Sequence, residues 1–147
     1  MAGRGEGEEP ETAGGPARHA PVLLAEVLQA LAPQDGERYI DCTFGAGGYS
    51  RAILESADCQ ILALDRDPLA AEIAAELAKT HPKRFRFEPA AFSGLADIAA
   101  DADFAPADAV VFDLGVSSMQ IDEAERGFSF HSVKQVLFDD LCSQEDN

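Results

Sequence analysis

Apolar positions recur along the chain with two alternating periods. In "APVLLAEVLQAL", Leu24, Val27, Leu28 and Leu31 stand at helical spacing, and Pro33 follows as a stop. "RYIDCTF" is a short apolar run bounded by polar residues, which predicts a buried strand. A cluster of small residues, Gly45, Ala46, Gly47 and Gly48, comes directly after it. "YSRAILESA" then predicts a helix, and "QILALD" a second strand ending on Asp65. Asp67 and Pro68 mark a helix start, with Leu69, Ile73 and Leu77 every fourth residue beyond. "RFRFEP" predicts a third strand, "SGLADIAA" a short helix and "ADAVVFDLG" a fourth strand.

Strands alternating with helices imply right-handed crossovers and a parallel sheet. The uninterrupted apolar runs "ILAL" and "AVVF" agree, since parallel strands are covered on both faces. Ligands of such sheets bind beyond the carboxyl ends of the strands. The polar or glycine-rich residues there are 41–48, Asp65, 89–92 and 113–118. They predict one cleft.

Composition narrows the picture. Eleven basic residues against twenty-seven acidic ones give a formal charge of −16, which opposes non-specific attraction to nucleic acid or anionic membranes. "KRFR" at 83–86 is the one dense basic patch. Cys42, Cys59 and Cys142 show no metal-ligand spacing, so no metal is expected, and their scatter suits a reducing compartment. No apolar stretch is long enough for a membrane span, and the start lacks a signal-peptide centre. A cytoplasmic protein is expected. Residues 1–17, rich in Gly, Glu and Pro, read as a disordered tail.

A glycine turn between strand and helix lets a ligand approach the backbone and offers it helix-start N–H groups. A tight turn with no ligand is the competing reading. Asp65 lies twenty residues past Gly45, where an acidic residue accepts hydrogen bonds from both hydroxyls of a cofactor ribose. Its alternative is a solvated loop carboxylate. Nicotinamide and S-adenosylmethionine cofactors both use this arrangement. Ser50 stands where the dinucleotide fingerprint wants its third glycine, so spacing favours S-adenosylmethionine. Asp113 ends the fourth strand, where amine-directed methyltransferases need acceptors facing the amine; capping the next segment is its alternative role. Ser117 and Ser118 suit turn chemistry, and His19 and His81 suit the surface.

"HAPVLLAEVLQAL", "YIDCTFGAGGYSRAIL", "LALDRDPLA", "AAFSGL" and "DLGVSSMQIDEAERGFSF" together resemble successive motifs of the bacterial 16S ribosomal RNA cytosine-N4 methyltransferase family, which has organellar relatives. The resemblance runs from about His19 to Phe130. It implies a Rossmann-like class I methyltransferase fold of the α/β type, here incomplete, with about four parallel strands. It implies S-adenosylmethionine as cofactor and a decoding-region cytosine amine of small-subunit ribosomal RNA as substrate. Carried over residue by residue, it gives Gly47, Gly48 and Tyr49, Asp65, Phe92, Asp113 and Gln120 as cofactor contacts, with Asp113 also facing the target amine. The family often has His where Tyr49 stands, which leaves the Tyr49 side chain without a carried-over role. Residues 18–130 are thus expected to be the cofactor-binding half of a methyltransferase domain. Beyond Phe130 the resemblance stops, and 131–147 read as a divergent tail of a truncated chain. A cofactor-binding fragment or regulatory form without activity is the alternative. An NAD-dependent oxidoreductase is disfavoured by Ser50 and "DLGVSS". Oligomeric state is not legible.

Overall fold

A computed structural model of the chain describes residue 21 and residues 23–115. The expected N-terminal tail, His19, Ser117, Ser118, Gln120, His131 and the expected tail at 131–147 lie outside the described residues.

Among the described residues, four strands form one parallel sheet: β1 (Arg38–Asp41), β2 (Gln60–Leu64), β3 (Phe85–Glu88) and β4 (Ala109–Val111), in the order β3-β2-β1-β4. The register sets Tyr39 beside Ile61 and Ala109, and Asp41 beside Ala63 and Val111. β2 pairs with β3 from Ile61–Phe85 to Leu64–Glu88. The helices are α1 (Leu24–Leu31), α2 (Gly48–Ser56), α3 (Pro68–Thr80) and α4 (Leu95–Asp101).

Alternation of side chains along the strands divides the core between the two faces. Tyr39, Ile61, Ala63, Phe85 and Val111 share one apolar cluster with Ile53 and Leu54 of α2 and Ala70, Ala74 and Leu77 of α3. The α1 stripe Leu24, Val27, Leu28 and Leu31 packs on it as its spacing predicts. Ile40, Cys42, Leu62 and Leu64 face the other way, under Ala99 of α4 and Phe104.

Element ends depart from the sequence reading for physical reasons. The first strand was expected over 38–44 but stops at Asp41. Beyond it the chain fans between its neighbours: Cys42 N–H donates to Val111 O of β4 (2.9 Å) and Phe44 N–H to Leu64 O of β2 (3.1 Å). α3 starts as predicted, with Asp67 accepting from Leu69 N–H at 2.9 Å and Pro68 following. Its deepest positions are Ala70 and Ala74, one residue past the predicted ridge at Leu69 and Ile73. The short fourth helix is preceded by a 3-10 turn, Phe92–Gly94.

The basic patch at 83–86 is partly absorbed by the fold. Arg84 donates to the carbonyls of Leu54 (3.1 Å) and Ala57 (2.9 Å), closing the end of α2. Arg86 pairs with Glu88 at 2.6 Å.

Candidate functional site

β1 ends on a carboxylate in the core. Asp41 is 1% exposed, lies between β2 and β4, and has a hydrogen bond to each of its oxygens. Ser50 Oγ donates to its Oδ2 at 2.7 Å, and Thr43 N–H to its Oδ1 at 3.2 Å. Burial pushes its carboxyl up to about 6; the bonds from Ser50 and Thr43 oppose the rise, while the charges of Asp65 and Asp113 add to it. Sequence reasoning placed Asp41 among the cleft residues 41–48 and used Ser50 only to disfavour a dinucleotide; the structure instead buries both and bonds them to each other. The signal was present: a serine at the third-glycine position, nine residues after the one acid in an apolar strand.

The glycine turn follows. Gly45 and Gly47 have φ of 52° and 77°, the left-handed region that favours glycine. A Cβ on Gly47 would come within 2.7 Å of the Phe44 ring, which packs on Phe85 and Phe87. A Cβ on Gly48 would meet Pro21 at 2.3 Å. Close packing within the chain therefore accounts for both glycines that the resemblance assigns to the cofactor. At Gly45 a Cβ would meet nothing closer than Thr43 O at 3.9 Å, so space is open there. α2 begins at Gly48, and its cap Gly47 supplies no side-chain acceptor. Tyr49 is buried in the core, and burial followed by the charges of Asp113 and Asp41 raises its phenol above the ordinary value.

Asp65 stands at the end of β2, half-buried. Its Oδ2 accepts from Gly45 N–H at 2.8 Å and its Oδ1 from Asp67 N–H at 2.9 Å. Each oxygen keeps a further lone pair, so the carboxylate is aimed and still able to accept a diol. Phe92 is exposed on the 3-10 turn after β3. Asp113 is exposed just past β4, its N–H fixed by Thr43 Oγ1 at 2.7 Å. Thr43 thus ties Asp41 to Asp113, a link the sequence did not announce. Of the predicted site residues, Gly47, Gly48, Tyr49, Asp65, Phe92 and Asp113 come to the carboxyl end of one sheet; Gln120 lies outside the described residues. His81 caps the end of α3. Cys42 and Cys59 are free and buried, and no metal-binding group of side chains occurs among the described residues.

The sequence profile of the MraW methylase family, a methylase family by its description, matches residues 16–143. The chain belongs to this family. A relative from Xanthobacter autotrophicus named ribosomal RNA small subunit methyltransferase H is 58% identical over 120 residues, covering 82% of this chain and 35% of the relative. Proteins of the same name from Azorhizobium caulinodans (54% identical; 87% of this chain, 37% of theirs) and Rickettsia felis (56%; 78% and 37%) are similarly close. The chain spans about a third of the length of these curated MraW relatives. Among solved structures, the C-terminal domain of precorrin-6Y C5,15-methyltransferase from Rhodobacter capsulatus has a TM-score of 0.51 at 25% identity, covering 68% of this chain and 52% of that one. A Streptococcus mutans protein solved in complex with SAH also gives 0.51, at 18% identity, covering 64% and 53%. The four-stranded parallel sheet of this MraW chain is thus the Rossmann-like class I methyltransferase fold. No helix among the described residues is long and apolar enough to cross a membrane.

Proposed function

We propose that this chain is the cofactor-binding portion of an S-adenosylmethionine-dependent methyltransferase acting on the N4 amine of a cytosine in the decoding region of small-subunit ribosomal RNA, in the cytoplasm. One observation carries the reading. The Asp65 carboxylate is held beyond β2 by two backbone N–H groups, one of them from the glycine turn, with acceptor capacity to spare. The names of the MraW relatives supply the RNA class, and the 16S cytosine specificity rests on the motif resemblance.

S-adenosylmethionine supplies, when bound, an electrophilic methyl group on a sulfonium centre. The residues present fit it. The first turn of α2, with Gly47, Gly48 and Tyr49, suits its carboxylate end. Asp65 accepts the ribose hydroxyls, and Phe92 offers an exposed ring. Gln120 completes the contacts that the resemblance implies. Asp41, Asp65 and Asp113 favour a cationic ligand at this end of the sheet. Asp113, fixed through its N–H, accepts from the target amine and orients it.

Calorimetry with S-adenosylhomocysteine and with NAD tests the cofactor. Tighter binding of NAD overturns the assignment. Asp113→Ala, made in a full-length relative, is expected to lower turnover at saturating cofactor more than it lowers cofactor affinity; unchanged turnover removes its role at the amine.

A second reading, a cofactor binder without RNA turnover, is favoured by the −16 charge, which opposes approach of a phosphate backbone. Methyl incorporation into unmodified small subunits separates the two. On this reading none is detected, whereas turnover near that of a full-length relative excludes it.

A further inference from the structure

β4 ends at Val111, opposite Asp41 of β1. The bond from Cys42 N–H to Val111 O, continued by one step of a parallel ladder, would bring the Asp113 N–H to the Cys42 carbonyl. The Asp113 N–H goes instead to Thr43 Oγ1, at 2.7 Å. A side chain thus takes the place of the main chain where the two strands part. Thr43 is itself held from below. Its N–H donates to Oδ1 of the buried Asp41 at 3.2 Å, and Ser50 Oγ of α2 donates to Oδ2 of the same carboxyl at 2.7 Å. A hydrogen-bonded chain therefore runs from Ser50 through Asp41 and Thr43 to Asp113, joining the first turn of α2 to the residue past β4. Packing holds Asp113 loosely by comparison. Leu114 after it is 70% exposed, and Phe112 before it, 47% exposed, meets the exposed Phe92 ring at a centroid distance of 5.5 Å.

We propose that Thr43 is a positioning residue for methyl transfer: its hydroxyl oxygen fixes where Asp113 stands against the target amine and ties that point to the glycine turn. The inference rests on the reading of Asp113 given above and adds the residue through which that acid is set. An acceptor orients an amine usefully only if it is fixed relative to the methyl donor, since misplacement by about 1 Å can cost about a hundredfold in rate. The donor is expected on the turn that starts α2, whereas Asp113 lies seventy residues beyond Thr43 in the chain. No contact local in sequence can join the two. Thr43 follows Asp41 directly into the turn and reaches Asp113 from there. The task needs the hydroxyl: valine has nearly the same shape and no acceptor, while serine keeps the acceptor.

The experiment uses a full-length relative that carries the same threonine and aspartate. Methyl incorporation into unmodified small subunits and calorimetry of S-adenosylhomocysteine are measured on T43V, T43S, D113A and the double variant T43V/D113A. T43V is expected to lower turnover at saturating cofactor and RNA about tenfold while leaving cofactor affinity within about twofold, and T43S to restore turnover. In the D113A background T43V should add nothing, because Thr43 acts through Asp113. Thermal transitions show which variants fold; should T43V not fold, T43A carries the same comparison. Unchanged turnover in T43V beside a slow D113A overturns the inference and leaves the role of Asp113 standing. T43S as slow as T43V, or a T43V loss that multiplies with that of D113A, also overturns it, because Thr43 then acts elsewhere. Unchanged turnover in D113A overturns the reading of Asp113 and this inference with it.

Discussion

Asp65 combines two tasks that two measurements can separate. It accepts Gly45 N–H and Asp67 N–H while keeping lone pairs for a ligand. Asp65→Ala removes both and should weaken cofactor binding by about 2–3 kcal/mol. It should also lower unfolding free energy by about 1–2 kcal/mol, because the turn loses its acceptor. Calorimetry and urea denaturation read the two losses, and a loss of affinity without any loss of stability would show that the bond to Gly45 carries no weight. Asp41 gives a pH effect of definite sign. Burial raises its carboxyl from the ordinary 3.8 to about 6, so the folded state holds the proton more tightly than the unfolded chain. That stabilisation is complete below about pH 4 and is lost as pH rises through about 6. Asp41→Asn cannot ionise and should escape the loss. Relative to the variant, the wild-type chain should fall by roughly 3 kcal/mol at most between pH 4 and pH 7. Urea midpoints across that range check it, and a pH-independent difference would rule out a buried titrating carboxyl.

At the scale of elements, α2 is held at both ends by groups outside it. Ser50 in its first turn donates to Asp41, and Arg84, at the entry to β3, takes the carbonyls of Leu54 and Ala57 at its far end. A guanidinium there also complements the negative end of the helix. Arg84→Ala should cost about 1–2 kcal/mol in urea denaturation, more than Arg86→Ala, whose partner Glu88 lies on the same short strand. Equal costs would mean that closing α2 contributes nothing. Elements were the most legible level of the sequence. The α1 stripe, the Asp67-Pro68 start and the apolar β2 run each state one local preference, and each is met. The ends were less legible. β1 stops at Asp41 because Cys42 and Phe44 turn to different neighbours, a choice set by strands not yet made at that point of the chain. The depth of Ala70 and Ala74 was hidden too, since alanine spacing carries little hydrophobic contrast, although a small side chain lets α3 approach the sheet closely.

The whole molecule explains why the candidate site was only half readable. Glycines and Asp65 announce themselves by type and spacing. The Asp41–Ser50 bond, the Thr43–Asp113 bond and the Phe92–Phe112 pair depend on the order β3-β2-β1-β4, which no local pattern encodes. The Thr43–Asp113 bond has a further consequence, in time. It joins positions seventy residues apart, as does the bond from Arg38 N–H to Asp108 Oδ2, whereas Gly45 and Asp65 are twenty apart. Contacts that close long loops form slowly, because chain entropy is lost before they are made. On a growing chain the turn and Asp65 can meet while β4 is still unsynthesised, and the Asp113 end of the site comes last. Pulse-labelling hydrogen exchange during refolding should protect the Ile61 amide, bonded to Arg84 O at 2.7 Å, before the Asp113 amide. Simultaneous protection would mean that the sheet assembles in one concerted step.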